Sequence, residues 1–255
     1  MNASTLKAIS LLLIAFILVL TPMFVFGPYD QEEWPNSVWS TLQYVSAIWR
    51  GELPPMWSDL LGLGTPMPLG NRLDLSPPFF LYPMLSVRWV IPLFYVFYLG
   101  AASIYVWRIC LDLRLNLALR TVFGVTFLWS SSTIQLMYSD DWPTLFHDWC
   151  LLPILFFYLR RLLLAKENRA ALRSMILLGL FGGIWFLNGH LGHMATLALS
   201  LSIYALIMIS RRSSLKLLGS LVIALLISSE HLYYLVSETI SFPSEVLRNS
   251  HGGRV

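Results

Sequence analysis

Apolar runs of about 20 residues recur seven times along the chain, over 7–27, 88–109, 117–136, 147–165, 172–189, 193–210 and 215–236. A helix rising about 1.5 Å per residue needs roughly that length to cross a hydrocarbon core about 30 Å thick. Charged residues make up only 12% of the sequence, about half the roughly 25% usual in soluble domains. The pattern predicts an all-α, polytopic membrane protein. Its single transmembrane domain covers 1–236 and an extracytoplasmic tail follows at 237–255. The first run starts at Lys7, exceeds the length of a signal-peptide core and is followed by no small-x-small cleavage site, so it reads as a retained span.

Charge tests the count independently. With the N-terminus in the cytoplasm, the inner segments collect Lys7, Arg108, Arg114, Arg120, Arg160, Arg161, Lys166, Arg169, Arg173, Arg211, Arg212 and Lys216, against only Asp112 and Glu167. The remaining acidic residues fall on the other side, a strong positive-inside pattern that places the C-terminal tail outside. Fourteen acidic residues exclude a polybasic nucleic-acid reader. Cys110 and Cys150 lie at or within apolar segments and read as small buried hydrophobes rather than a disulfide framework.

The inner loops are short, whereas the first outer loop runs over 28–87 and is rich in Pro, Trp and carboxylates. Loops of that length are usually functional or disordered. Within it, 36–51 carries Val38, Leu42, Val45, Ile48 and Trp49 at helical spacing, with Asn36 or Ser37 as N-cap and Gly51 as stop signal. This predicts an amphipathic helix at the outer interface, or one that merely supports the membrane domain. Residues 54–83 read as irregular chain punctuated by Pro and Gly.

No Walker loop, HExxH, nucleophile elbow or CxxC is present, which removes ATP-driven transport, zincin proteolysis and serine hydrolysis from the leading readings. Carboxylates and histidines concentrate on the outer side instead. Asp30, Glu32 and Glu33 follow the first span at once and could supply a general base or bind a divalent ion; a solvated acidic loop is the alternative. Asp140 and Asp141 stand in the second outer loop, with His147 and Asp148 just beyond. Side chains of adjacent residues diverge, so a site for Mg²⁺ or Mn²⁺ would combine Asp30 with Asp141 across two loops. Asn188, His190 and His193 occupy the tight turn between the fifth and sixth spans, where they could bind a phosphate or hold the turn together. Arg50, Arg72 and Arg88 are basic residues of the acidic outer loop, suited to a lipid-linked phosphate or to pairing with Glu52, Asp59 or Asp74. Glu230 and His231 end the seventh span.

The segments WRGELPPMWSDLLGLGTPM (49–67), SPPFFLYPML (76–85) and NGHLGHMATLALSLSIYAL (188–206) resemble, in order, the first outer loop and a Gly-His turn of bacterial multispanning glycosyltransferases of the GT-C superfamily and the related YfhO-like membrane proteins. The resemblance implies a GT-C-like fold in a bacterial inner membrane. It also implies transfer of a sugar from a polyprenyl-phosphate lipid to a glycan, lipid or protein acceptor on the outer face. Asp30 then takes the place of the family's catalytic base, with Glu32 or Glu33 as rivals and Asp140 or Asp141 as the second acidic residue. Full-length members of that family carry more spans, so the chain reads as their N-terminal module. Two other classes stand beside this one: a non-catalytic subunit or lipid-binding scaffold working with a protein partner, and a secondary transporter. The transporter is disfavoured by the absence of an evident ionisable pathway at mid-membrane depth.

Overall fold

The computed structural model describes residues 3–26, 34–52, 57–58, 65–66, 76–138, 143–188, 191–229, 232–233 and 236. Among them the chain forms α1 (Ala3–Phe26), α2 (Trp34–Trp49), α3 (Val87–Asp112), α4 (Leu117–Leu128), α5 (Ser131–Tyr138), α6 (Pro143–Leu164), α7 (Asn168–Asn188), α8 (Leu191–Met208) and α9 (Arg211–Ile227). A 3₁₀ turn occupies Pro77–Leu81, and the strands β1 (Trp57–Ser58) and β2 (Thr65–Pro66) pair antiparallel with Trp57 opposite Pro66. That small ribbon orders part of the stretch whose Pro and Gly content suggests irregular chain.

The fold is all-α, with the long apolar helices of a polytopic membrane protein. Ser4–Val25, Trp89–Asp112 and Asn168–Leu187 are each long and apolar enough to cross a bilayer, and His193–Met208 and Ser213–Ile227 are shorter apolar helices. Helix α1 turns Leu6, Leu11, Leu13, Ile14, Ile17 and Leu18 outward. A continuous apolar face of that kind suits lipid and would be a liability in water.

The apolar stretch 117–136, which hydropathy alone reads as one span, is divided between α4 and α5. The cause is the local sequence Trp129-Ser130-Ser131-Ser132-Thr133. Ser130 Oγ accepts from Thr133 N at 3.1 Å, and Thr133 Oγ1 donates back to the Phe127 carbonyl at 2.7 Å. Hydroxyls that bond the nearby backbone offer it an alternative to the helical ladder. Thr133 Oγ1 also accepts from Trp149 Nε1 of α6 at 3.0 Å, so the break is locked to a neighbouring helix.

Side-chain pairs fix the helix directions. Arg161 near the end of α6 grips Asp112 at the end of α3 through two bonds of 2.8 and 3.0 Å, so these helices run parallel. Helices α7 and α9 are also parallel: Lys216 Nζ donates to Asn168 Oδ1 at 3.2 Å, and further along the seam Gly183 faces Ile227. One end of the bundle therefore gathers the starts of α3, α6 and α8. The other gathers the ends of α3 and α6 and the starts of α4, α7 and α9, and it carries Arg108, Arg114, Arg120, Arg160, Arg161, Lys166, Arg169, Arg173 and Lys216.

Helix α6 packs against α3, α5, α7, α8 and α9 and buries most of its length. At its first turns Phe146 meets Tyr95 with ring centroids 4.6 Å apart, and Phe94 bridges Phe79 of the 3₁₀ turn to the same cluster. Helix α2 ends as the sequence suggests, with Gly51 at φ +70° and Glu52 N closing back on the Ala47 carbonyl at 2.9 Å. It buries Leu42 and Val45, while Ile48 and Trp49 stay exposed. Trp49 Nε1 donates to the Phe80 carbonyl, tying α2 to the 3₁₀ turn.

Candidate functional site

Proline at the first position of α6 loses no hydrogen bond, because the first amides of a helix have no intrahelical partner. One turn later the sequence Phe146-His147-Asp148-Trp149 carries two ionisable side chains into the interior. His147 and Asp148 are both 0% exposed. Asp148 Oδ1 lies 3.6 Å from His147 Nδ1, and Asp148 Oδ2 lies 3.6 Å from Nδ1 of His193, which enters from the first turn of α8. These separations are too long for hydrogen bonds and within the reach of an ion pair when an imidazole carries a proton.

The three side chains are differently placed. His147 packs edge-on against Tyr98 at 4.8 Å, and neither of its ring nitrogens has a hydrogen-bond partner among the described residues. The Tyr98 hydroxyl points away to Ser76 Oγ at 3.0 Å. His193 is different: its Nδ1 is buried toward Asp148, yet the side chain as a whole is 26% exposed, so the rest of the ring opens outward. Thr144 Oγ1 in the same first turns of α6, and Trp185 Nε1 near the end of α7, are also buried without a partner among the described residues.

A buried carboxylate is costly unless a positive charge or donors compensate it, and imidazole is the side chain that can carry a proton to it. The arrangement of an accessible imidazole with a buried carboxylate behind its second nitrogen is the general form of a base held by an orienting acid. Such bonds are often long before substrate arrives.

Of the residues expected to form a site, Asp30, Glu32, Glu33, Arg72, Asp140, Asp141 and His190 lie outside the described residues, as do Glu230 and His231. The expected metal pair, Asp30 with Asp141, falls there too. Arg88 is the second residue of α3 and Asn188 the last of α7, with side chains that are likewise outside the described set. Arg50 is exposed at the end of α2 and pairs with Glu52 at 2.7 Å, which raises its pKa further through the hydrogen bond and the charge of that carboxylate. That is the pairing alternative foreseen for it. Of the expected residues whose side chains are described, Arg50 and His193, it is His193 that joins a buried ionisable cluster. Among the described residues no group of three His, Cys, Asp or Glu could hold a metal ion. Cys110 and Cys150 are buried free thiols.

Sequence reasoning places His147 and Asp148 beside the second outer loop but assigns them no role, although a signal is present. Two adjacent ionisable residues inside FHDWCLLPILFF sit at helical positions that a lipid-facing surface would not tolerate. No family model, curated protein or solved structure matches the chain.

Proposed function

We propose that the chain is a membrane-embedded glycosyltransferase working at the outer face, with His193 as its base and Asp148 as the group that holds and balances that base. The observation that carries this reading is the wholly buried Asp148 carboxylate 3.6 Å behind the inward nitrogen of a partly exposed imidazole. The arginine-bearing end faces the cytoplasm by the positive-inside rule, so the Asp148 end faces outward. By sequence, His193 lies in the segment that resembles the Gly-His turn of the GT-C enzymes, and Asp148 follows Asp140 and Asp141, either of which qualifies as the second acidic residue that the resemblance implies.

In the proposed reaction the outward ring nitrogen of His193 takes the proton of an acceptor hydroxyl. The resulting imidazolium is balanced by Asp148, and the acceptor oxygen forms a bond to the anomeric carbon of the donor sugar. The bond from that carbon to the phosphate oxygen breaks with its electron pair, and polyprenyl phosphate leaves without needing a proton. Asp30 remains the proposed partner from the first outer loop, toward the acceptor or toward Mg²⁺ or Mn²⁺.

The test is sugar transfer from a panel of radiolabelled polyprenyl-phosphate hexoses and pentoses by protein in nanodiscs. His193→Gln and Asp148→Asn are expected to lower turnover by about 10²–10⁴-fold, the usual worth of a general base, while donor binding persists. Turnover equal to wild type in both variants overturns the assignment, and equal turnover in Asp30→Asn removes Asp30 from it.

A proton-coupled carrier is the second reading, favoured by His147 with both nitrogens buried and unpartnered among the described residues. Depth argues against it. Asp148 lies only about 7–8 Å along the axis from the start of α6, a helix roughly 33 Å long, so the cluster sits well short of its midpoint. Proton-linked solute uptake into proteoliposomes that is lost in His147→Phe would favour the carrier.

A further inference from the structure

The opposite end of the bundle holds a cleft of about 660 Å³ between α3, α6 and α7. Arg108, Arg160, Arg161 and Arg173 line it together with Asp112 and Tyr158. Positive residues at this end serve topology wherever they stand. Topology alone, however, does not require four of them to converge from three helices on one concavity.

The local geometry holds several of them in place. Arg161 is clamped by Asp112, and its guanidinium lies over the Phe157 ring at 4.9 Å. Arg160 donates to the Tyr204 hydroxyl at 3.1 Å, and Arg108 lies over the Tyr105 ring at 5.2 Å. One aspartate against four arginines leaves an excess of three positive charges around the cavity. Guanidinium groups held by aromatic faces and side-chain bonds have already lost much of the freedom that binding would cost. Their planar donor sets match phosphate oxygens, and basic pockets between helices at a membrane surface bind phospholipid head groups.

We propose that this arginine cleft is a binding site for a phosphate-bearing anion, a head group of an anionic lipid or a soluble polyphosphate, distinct from the His193–Asp148 site. Its volume falls in the range of ordinary ligand pockets and exceeds what a bare phosphate needs, which favours a phosphate carried on a larger group.

The experiment uses the full chain in a neutral detergent, with binding followed by native mass spectrometry and calorimetry. The probes are dioctanoyl phosphatidic acid, dioctanoyl phosphatidylcholine and inorganic pyrophosphate. The Arg108→Gln/Arg173→Gln pair removes two cleft charges, whereas Lys166→Gln/Arg169→Gln removes two charges from the same end outside the cleft. The structure predicts affinity for phosphatidic acid or pyrophosphate that falls about tenfold for each cleft arginine removed, the scale of a charged hydrogen bond. The outside pair should change it less than threefold. Preference for phosphatidic acid assigns the lipid source, and preference for pyrophosphate assigns the soluble one. If the cleft pair does not fold, the single variant Arg173→Gln, at an exposed position on α7, carries the same tenfold expectation. Equal weakening by both pairs, equal binding of phosphatidylcholine and phosphatidic acid without binding of pyrophosphate, or no binding of either phosphate probe overturns the proposal.

Discussion

Gly182→Ala and Gly183→Ala are neighbouring substitutions on α7 that are expected to move stability in opposite directions. Both gain about 1 kcal/mol of helix propensity, because alanine has less backbone freedom to lose than glycine. They differ in what the new methyl group meets. At Gly182 it would stand 3.5 Å from the Ala224 Cβ, an ordinary contact. At Gly183 it would stand 2.6 Å from the Ile227 Cβ and 2.7 Å from its Cγ2, against about 3.5–4.0 Å for carbons in contact. A Cβ is fixed to its backbone, so no rotamer change of Ile227 relieves the overlap and α9 itself must move away by about an ångström. That displacement loosens the rest of the seam, where Gly179 already sits against Ile223 and the Ser220 carbonyl. Overpacking of this kind costs about 1–3 kcal/mol. The propensity gain is common to both variants and cancels in their difference, so Gly183→Ala should be about 1–3 kcal/mol less stable than Gly182→Ala. Denaturation by SDS in mixed micelles, followed by circular dichroism, measures that difference. Equal midpoints, or a more stable Gly183→Ala, would refute the close approach of α7 and α9.

Two further outcomes follow from single contacts. Thr133→Val keeps the side-chain shape at the α4–α5 break but removes the acceptor of Trp149 Nε1 and the donor to the Phe127 carbonyl; a loss of about 1–3 kcal/mol in the same SDS titration is expected, and an unchanged midpoint would show that the hydroxyl does not hold the break. Asp112 and Arg161 are partly exposed despite their two-point geometry, so a double-mutant cycle with Asp112→Asn and Arg161→Gln should give a coupling of only about 0.2–1 kcal/mol that shrinks in high salt; a larger, salt-insensitive coupling would contradict that exposure.

The elements legible in the sequence are those whose signal is local. The apolar run at 88–109 corresponds to α3, and the helical spacing before Gly51 corresponds to α2 with its left-handed stop. The α4–α5 break was hidden for a specific reason. Serine and threonine are nearly neutral on a hydropathy scale, so a window of about 20 residues averages across Trp129–Thr133 and reports one span. The information that breaks the helix sits in hydroxyl-to-backbone bonds over four residues, and it is secured by Trp149 from another helix. A serine-threonine run inside an apolar stretch is therefore a local cue that hydropathy discards.

The site shows the same division more sharply. Asp148 near one end of an apolar run can be a solvated carboxylate just beyond the membrane or a buried one just within it, and composition does not distinguish these. The deciding partner, His193, arrives from α8, far along the chain and invisible to any local pattern. Helix α6 makes the point at the scale of a whole element. It is absent from the helices apolar enough to qualify as spans on their own, yet it buries most of its residues and packs against five other helices. These two facts have one cause. A helix surrounded by protein has no need of a uniformly apolar surface, so it can carry His147 and Asp148 where a lipid-facing helix such as α1 cannot. Hydropathy measures contact with lipid rather than depth in the bundle. In a chain of this kind the helix that scores poorly for its length is thus the first place to look for buried chemistry, and α6, with His193 set against it, is that place here.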